Sequence, residues 1–132
     1  MRGLHLTADL HGCRCDMRWL TDAQMLGALC LEAVAAAGLR AVGQLFHAFP
    51  ATAHGPGGVT VAVLLAESHL CVHTWPELRG VTMDAYVCNV HADHSAAAGA
   101  LVARLVAAFD PARVERHAMQ RGALGEDAVS GL

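Results

Sequence analysis

The chain contains no apolar run close to the ~18 residues that a membrane-spanning helix needs, so the simplest membrane class is excluded. Neither an internal repeat nor a linker divides its 132 residues, and a single domain is expected. Nine Lys+Arg are scattered against twelve Asp+Glu for a formal charge of −3, which leaves no basic stripe for nucleic acid. The opening Met1-Arg2-Gly3-Leu4-His5 lacks the long apolar core of a signal peptide. Five cysteines, an odd number with no evident framework, suit thiols in a reducing cytoplasm better than disulfides. Bulk is scarce as well: residues are 55% hydrophobic but much of that is alanine, and only 5% are aromatic. A domain of this size leaves much surface exposed, which a dimer would relieve.

Two enzyme or binding classes are also missing their marks. Ser68 has no Gly-x-Ser-x-Gly elbow, so a conventional serine hydrolase is disfavoured. His11-Gly12-Cys13-Arg14-Cys15 and His91-Ala92-Asp93-His94 hold zinc-ligand residue types without a standard finger spacing, and no metal is expected.

What is present is a strong alternation of element signals. Residues 4–10 alternate apolar and polar like a strand. Thr21 with Gln24 reads as a capping box, followed by Met25, Leu26, Leu29, Cys30 and Ala33 at helical spacing and by Gly38 as a stop. Strands are predicted over residues 41–49, 59–65, 68–75 and 81–88, with a Gly/Pro-rich loop from Pro50 to Gly58 after the first of them. A second helical stripe from Ala98 to Phe109 ends at Asp110-Pro111, and a last strand is predicted over residues 113–119. Consecutive strands favour an antiparallel sheet, so the expected fold class is α/β: a two-layer sandwich with two helices on one face.

One stretch concentrates chemistry: Glu67-Ser68-His69, then His73-Thr74-Trp75-Pro76-Glu77, then Cys88. A serine hydroxyl can attack the carbonyl before it, turning the Glu67–Ser68 amide into an ester whose elimination leaves dehydroalanine, which hydrolyses to a pyruvoyl cap. That elimination needs a base, and histidine titrates in a suitable range. Singly, Ser68 reads as a strand hydroxyl, Cys88 as a buried filler and His73 as an ordinary histidine. Jointly, their order and spacing resemble the self-cleavage and catalytic segment of the bacterial and archaeal S-adenosylmethionine decarboxylase proenzymes. Gly3-Leu4-His5-Leu6, Phe46-His47-Ala48-Phe49 and the segment from Arg116 to Gly122 extend the resemblance over nearly the whole chain.

The resemblance implies autocatalytic cleavage between Glu67 and Ser68 into residues 1–67 and 68–132. Ser68 would become the pyruvoyl cofactor, which forms a Schiff base with the substrate amine. It assigns His73 as processing base and Cys88 as proton donor; Val87-Cys88-Asn89 departs from the usual neighbours of that cysteine. Strand alternation puts Ser68 and His73 on opposite faces, so their meeting requires a bend at Ser68. The substrate expected is S-adenosylmethionine, decarboxylated for polyamine biosynthesis. Phe49 and Trp75 are candidates to stack on adenine, with Phe46 preferred as core. Glu77 is placed to accept from the ribose and Thr60 to assist processing or binding. Some members act on ornithine or arginine, for which Asp9, Asp84 or Glu77 would meet the distal cation. The partner expected is a second copy of the chain, with sites at or near the interface. Glu67, Ser68, His73 and Cys88 are all present, against an unprocessed regulatory homologue.

Overall fold

The computed structural model describes residues 1–125. Among the described residues there are six strands: β1 (Arg2–Cys13), β2 (Ala41–Ala48), β3 (Val59–Leu65), β4 (Ser68–Trp75), β5 (Gly80–Cys88) and β6 (Pro111–Gly122). They form one sheet in the order β2-β3-β4-β5-β1-β6, with every neighbouring pair antiparallel. Helices α2 (Ala23–Ala36) and α3 (Ser95–Phe109) pack on it, and a short α1 (Arg18–Thr21) precedes them. The expected two-layer antiparallel sandwich is the observed one.

Strand alternation sets the layers. In β3, Val59, Val61, Val63 and Leu65 are buried while Thr60, Ala62 and Leu64 are not, so one sheet face meets the helices and the other is open. Leu26, Cys30 and Val34 of α2 and Leu101, Leu105 and Phe109 of α3 fill the buried layer. Helix α2 crosses β2 closely: a Cβ on Gly27 would lie 2.4 Å from the Phe46 ring. Phe46 packs against the core, as its sequence reading had it.

The helix start differs from the expected capping box. Asp22, not Thr21, caps α2, its carboxylate accepting from the Gln24 and Met25 N–H groups. Thr21 closes α1 instead, donating its hydroxyl to the Met17 carbonyl. Two adjacent capping-type residues let a separate short helix take the first of them.

Thr74 is the one buried polar side chain among the described residues, 5% exposed. Its hydroxyl donates to the Leu20 carbonyl at 2.7 Å and accepts from the Val59 N–H at 2.8 Å, tying β4 to α1 and β3. Thr74→Val keeps the shape and strands both partners, so stability should fall by about 2–4 kcal/mol, read as a lower urea midpoint at unchanged m-value. Burial pushes the Cys30 thiol up to about 12, and burial with neighbouring Cys15 pushes Cys13 up to about 11. Above the ordinary thiol value near 9 the unfolded chain sheds protons that the folded chain keeps. Stability should therefore decline as pH rises from about 9 toward 11–12, and Cys30→Ala should flatten that decline in denaturation measured against pH.

Candidate active site

The β3–β4 hairpin turns on Ala66 and Glu67 between the paired residues Leu65 and Ser68. Glu67 takes φ +56°, a left-handed conformation that costs a non-glycine residue about 1–2 kcal/mol. The Glu67–Ser68 bond thus follows directly on a strained residue. Ser68 starts β4, and its hydroxyl oxygen accepts from the Cys88 N–H at 3.1 Å. Cys88, at the end of β5, is 7% exposed. The Glu67–Ser68 bond, the serine and the cysteine therefore adjoin at one end of the sheet.

The remaining candidates gather at the other end of β4. Phe49, Thr60, His73, Trp75 and Glu77 line a cleft of about 510 Å³ together with the 50–58 loop. The hydroxyl of Thr60 and Nδ1 of His73 are hydrogen-bonded at 2.9 Å across the β3–β4 pair. His73 and Trp75 rings lie 6.1 Å apart, and His47 meets Phe49 edge-on at 4.6 Å. Phe49 and Trp75 are 51% and 39% exposed, so neither is core, and their faces are available to a planar ligand. Trp75 leads into a single 3-10 turn (Pro76–Leu78) that carries Glu77. Left-handed Arg79 follows it and donates to the Cys13 and Cys15 carbonyls, fixing the turn on the end of β1. Leu78-Arg79-Gly80 is thus a structural clasp, and Cys13 and Cys15 serve it through their backbone.

Ser68 and His73 are not together. The β3–β4 register runs without a break from Leu65↔Ser68 to Thr60↔His73. Five residues of strand place them roughly 16 Å apart and on opposite faces. The bend that would join them within one chain is absent.

A further group on the open face escaped the sequence reading. His5, His69 and Asp84, from β1, β4 and β5, bring their ligand atoms within 4.8 Å of one another. Asp84 accepts from Nε2 of His69 at 2.7 Å and from Nε2 of His5 at 3.0 Å. Only the cross-strand register reveals this, since residues 79 apart in sequence have no local signal. Asp84 is therefore already engaged, whereas Asp9 borders a separate cleft of about 290 Å³ beside Trp75 and Thr82.

Comparison with known proteins matches residues 4–122 to the family described as S-adenosylmethionine decarboxylase. The chain belongs to that family. Its members are pyruvoyl-dependent carboxy-lyases made as proenzymes, with the pyruvoyl group derived from serine. An S-adenosylmethionine decarboxylase proenzyme of Pyrobaculum aerophilum is 38% identical over 125 residues, covering 94% of this chain and 91% of its own. One of Caldanaerobacter subterraneus is 37% identical over 89 residues, 67% of this chain and 66% of that protein. The crystal structure of the adenosylmethionine decarboxylase from Aquifex aeolicus superposes with a TM-score of 0.80 at 30% identity, covering 96% of this chain and 95% of that one. For this decarboxylase the cleft wall depends on Gly58, whose carbonyl accepts from the Phe49 N–H at 2.9 Å. A Cβ there would lie 2.0 Å from the Thr74 carbonyl oxygen. Gly58→Ala should cost about 1–3 kcal/mol in a thermal or urea unfolding measurement, because backbone must move to admit it.

Proposed function

We propose that Ser68 of this decarboxylase becomes the pyruvoyl group, that S-adenosylmethionine occupies the aromatic cleft, and that two copies of the chain complete each site. The separation of Ser68 from the Thr60–His73 pair carries the last point. Within one chain His73 reaches Ser68 only by unpairing β4, whereas a second copy brings its own His73 with every strand intact. The open face suits such a partner, since Leu45, Leu64 and Met119 stand 68%, 55% and 57% exposed on it.

In processing, the Ser68 hydroxyl adds to the Glu67 carbonyl and the amide becomes an ester. A base then takes the Ser68 α-proton as the Glu67 carboxylate departs, leaving dehydroalanine. Water releases ammonia from it, giving residues 1–67 and a pyruvoyl-capped 68–132. His73, held by Thr60 through Nδ1, presents Nε2 as that base. The site fits the group it would form: the hydroxyl already lies against the Cys88 N–H, with a cysteine beside it. A pyruvoyl group at residue 68 supplies a ketone carbonyl that captures the substrate amine and draws off the electron pair released with carbon dioxide.

Cys88 stands where it can deliver a proton to the α-carbon of the product. Phe49 and Trp75 stack on the adenine, contributing about 0.5–1.5 kcal/mol per ring contact beyond burial, and Glu77 accepts from the ribose hydroxyls. Two exposed aromatic rings at one cleft favour a nucleoside over a small basic amino acid. Five free thiols suit a reducing cytoplasm, where the product would feed polyamine synthesis.

Differently tagged Ser68→Ala and His73→Ala chains, co-expressed, test the arrangement. Denatured intact mass should show the His73→Ala chain cleaved into residues 1–67 and 68–132 in the mixed dimer and whole when expressed alone. A His73→Ala chain that stays whole in the mixed dimer would place the base within one chain and overturn the two-copy site. Wild-type protein that never yields the two fragments would remove the pyruvoyl reading itself.

A further inference from the structure

The proenzyme holds Ser68 from both sides, by the hairpin turn before it and the strand after it. Cleavage removes the turn and makes residue 68 a chain terminus, and strand termini fray unless something ties them down. A frayed first residue would carry the reactive carbonyl out of position, and displacement of about 1 Å can cost roughly 100-fold in rate.

We infer that Asp84 is a positioning residue which, through His69 and with His5, anchors the cofactor-bearing terminus after cleavage. This rests on the self-cleavage reading above. His69 is the first residue after Ser68, and its Nε2 lies 2.7 Å from Asp84 Oδ2 on the neighbouring strand. His5 approaches the same oxygen at 3.0 Å from β1. Arg121 of β6 closes the chain, its guanidinium 3.2 Å from His5 Nδ1 and 5.3 Å from the centre of the Tyr86 ring. A guanidinium can only donate, so Nδ1 of His5 is the acceptor and its proton sits on Nε2, facing the carboxylate. The network therefore runs from Arg121 through His5 to Asp84, with His69 donating from the other side. It spans four adjacent strands on the open face.

The same arrangement disfavours a transition-metal site, because a metal needs the Nε2 lone pair of His5, and Arg121 selects the tautomer that lacks it. The side chains of His5, His69 and Asp84 are only 19%, 33% and 28% exposed, so water competes weakly for their hydrogen bonds. The carboxylate stabilises both imidazole N–H groups as charge-assisted bonds. None of the three lines the aromatic cleft. Their work is at the opposite end of β4, where the cut is made.

The test compares cut and uncut chains. Amide hydrogen exchange across residues 69–72 is measured in mature wild type, mature Asp84→Ala, and the uncleaved Ser68→Ala and Ser68→Ala/Asp84→Ala proteins. Cleaved Asp84→Ala should lose about 10–100-fold of its protection there, while the same substitution in the uncleaved chain changes it only severalfold. Decarboxylation kcat should fall at least about tenfold with KM little altered, and Asp84→Asn, which keeps an acceptor oxygen, should recover part of both losses. Should Asp84→Ala prevent cleavage, His5→Ala carries the comparison with a smaller expected loss. Equal loss of protection in cut and uncut chains, or none in either, overturns the anchor while leaving the cleavage reading intact. A wild-type chain that remains whole overturns both.

Discussion

Strand β4 is paired with β3 from Ser68 to His73 and with β5 from His69 to Trp75, and the placing of the candidate site residues follows from that rigidity. Period-2 alternation sends Leu70, Val72 and Thr74 into the helix-covered layer. The same alternation delivers His69, Cys71, His73 and Trp75 to the open face. A strand paired on both sides cannot be bent locally without losing backbone hydrogen bonds that have no replacement. Ser68 at its start and His73 near its end are therefore held apart, which is the separation on which the proposed two-copy site rests.

The segment His73-Thr74-Trp75-Pro76-Glu77 reads as one motif in sequence but divides its labour in space. His73, Trp75 and Glu77 meet the cleft, while Pro76 is buried at the start of the turn that carries Glu77. Thr74 contacts the same cleft yet spends its hydroxyl on the Leu20 carbonyl and the Val59 N–H. The cleft-lining segment is thus registered against the core by a neutral hydroxyl rather than a buried charge, which would carry a desolvation penalty of several kcal/mol. Low charge and abundant alanine are compatible with function because the sheet, not bulk, fixes the geometry.

Local signals carried the sequence reading a long way. Val59–Leu65 and Ser68–Trp75 were legible from β-branched runs and turn residues, and their bounds are those observed. At the first helix the reading slipped by one residue, because Thr21 and Asp22 are both capping types and only packing shows that α1 takes the threonine. Phe46 reads as core in sequence and packs against the core beside α2, whereas Phe49, for which sequence leaves core and cleft both open, stands exposed at the cleft. The His5–Asp84–His69 group was illegible because its members touch only through cross-strand register.

The sequence by itself determined the family, the sheet-and-helix order, and the residue types that self-cleavage and decarboxylation require. Those depend on local periodicity and on a motif contiguous in the chain. Only the tertiary structure decided which of those residues stand together. It put Ser68 with Cys88, Thr60 with His73, and roughly 16 Å of paired strand between the two groups. Proximity across a sheet is set by register and by the rigidity of a paired strand, and neither is written in the spacing of residues along the chain.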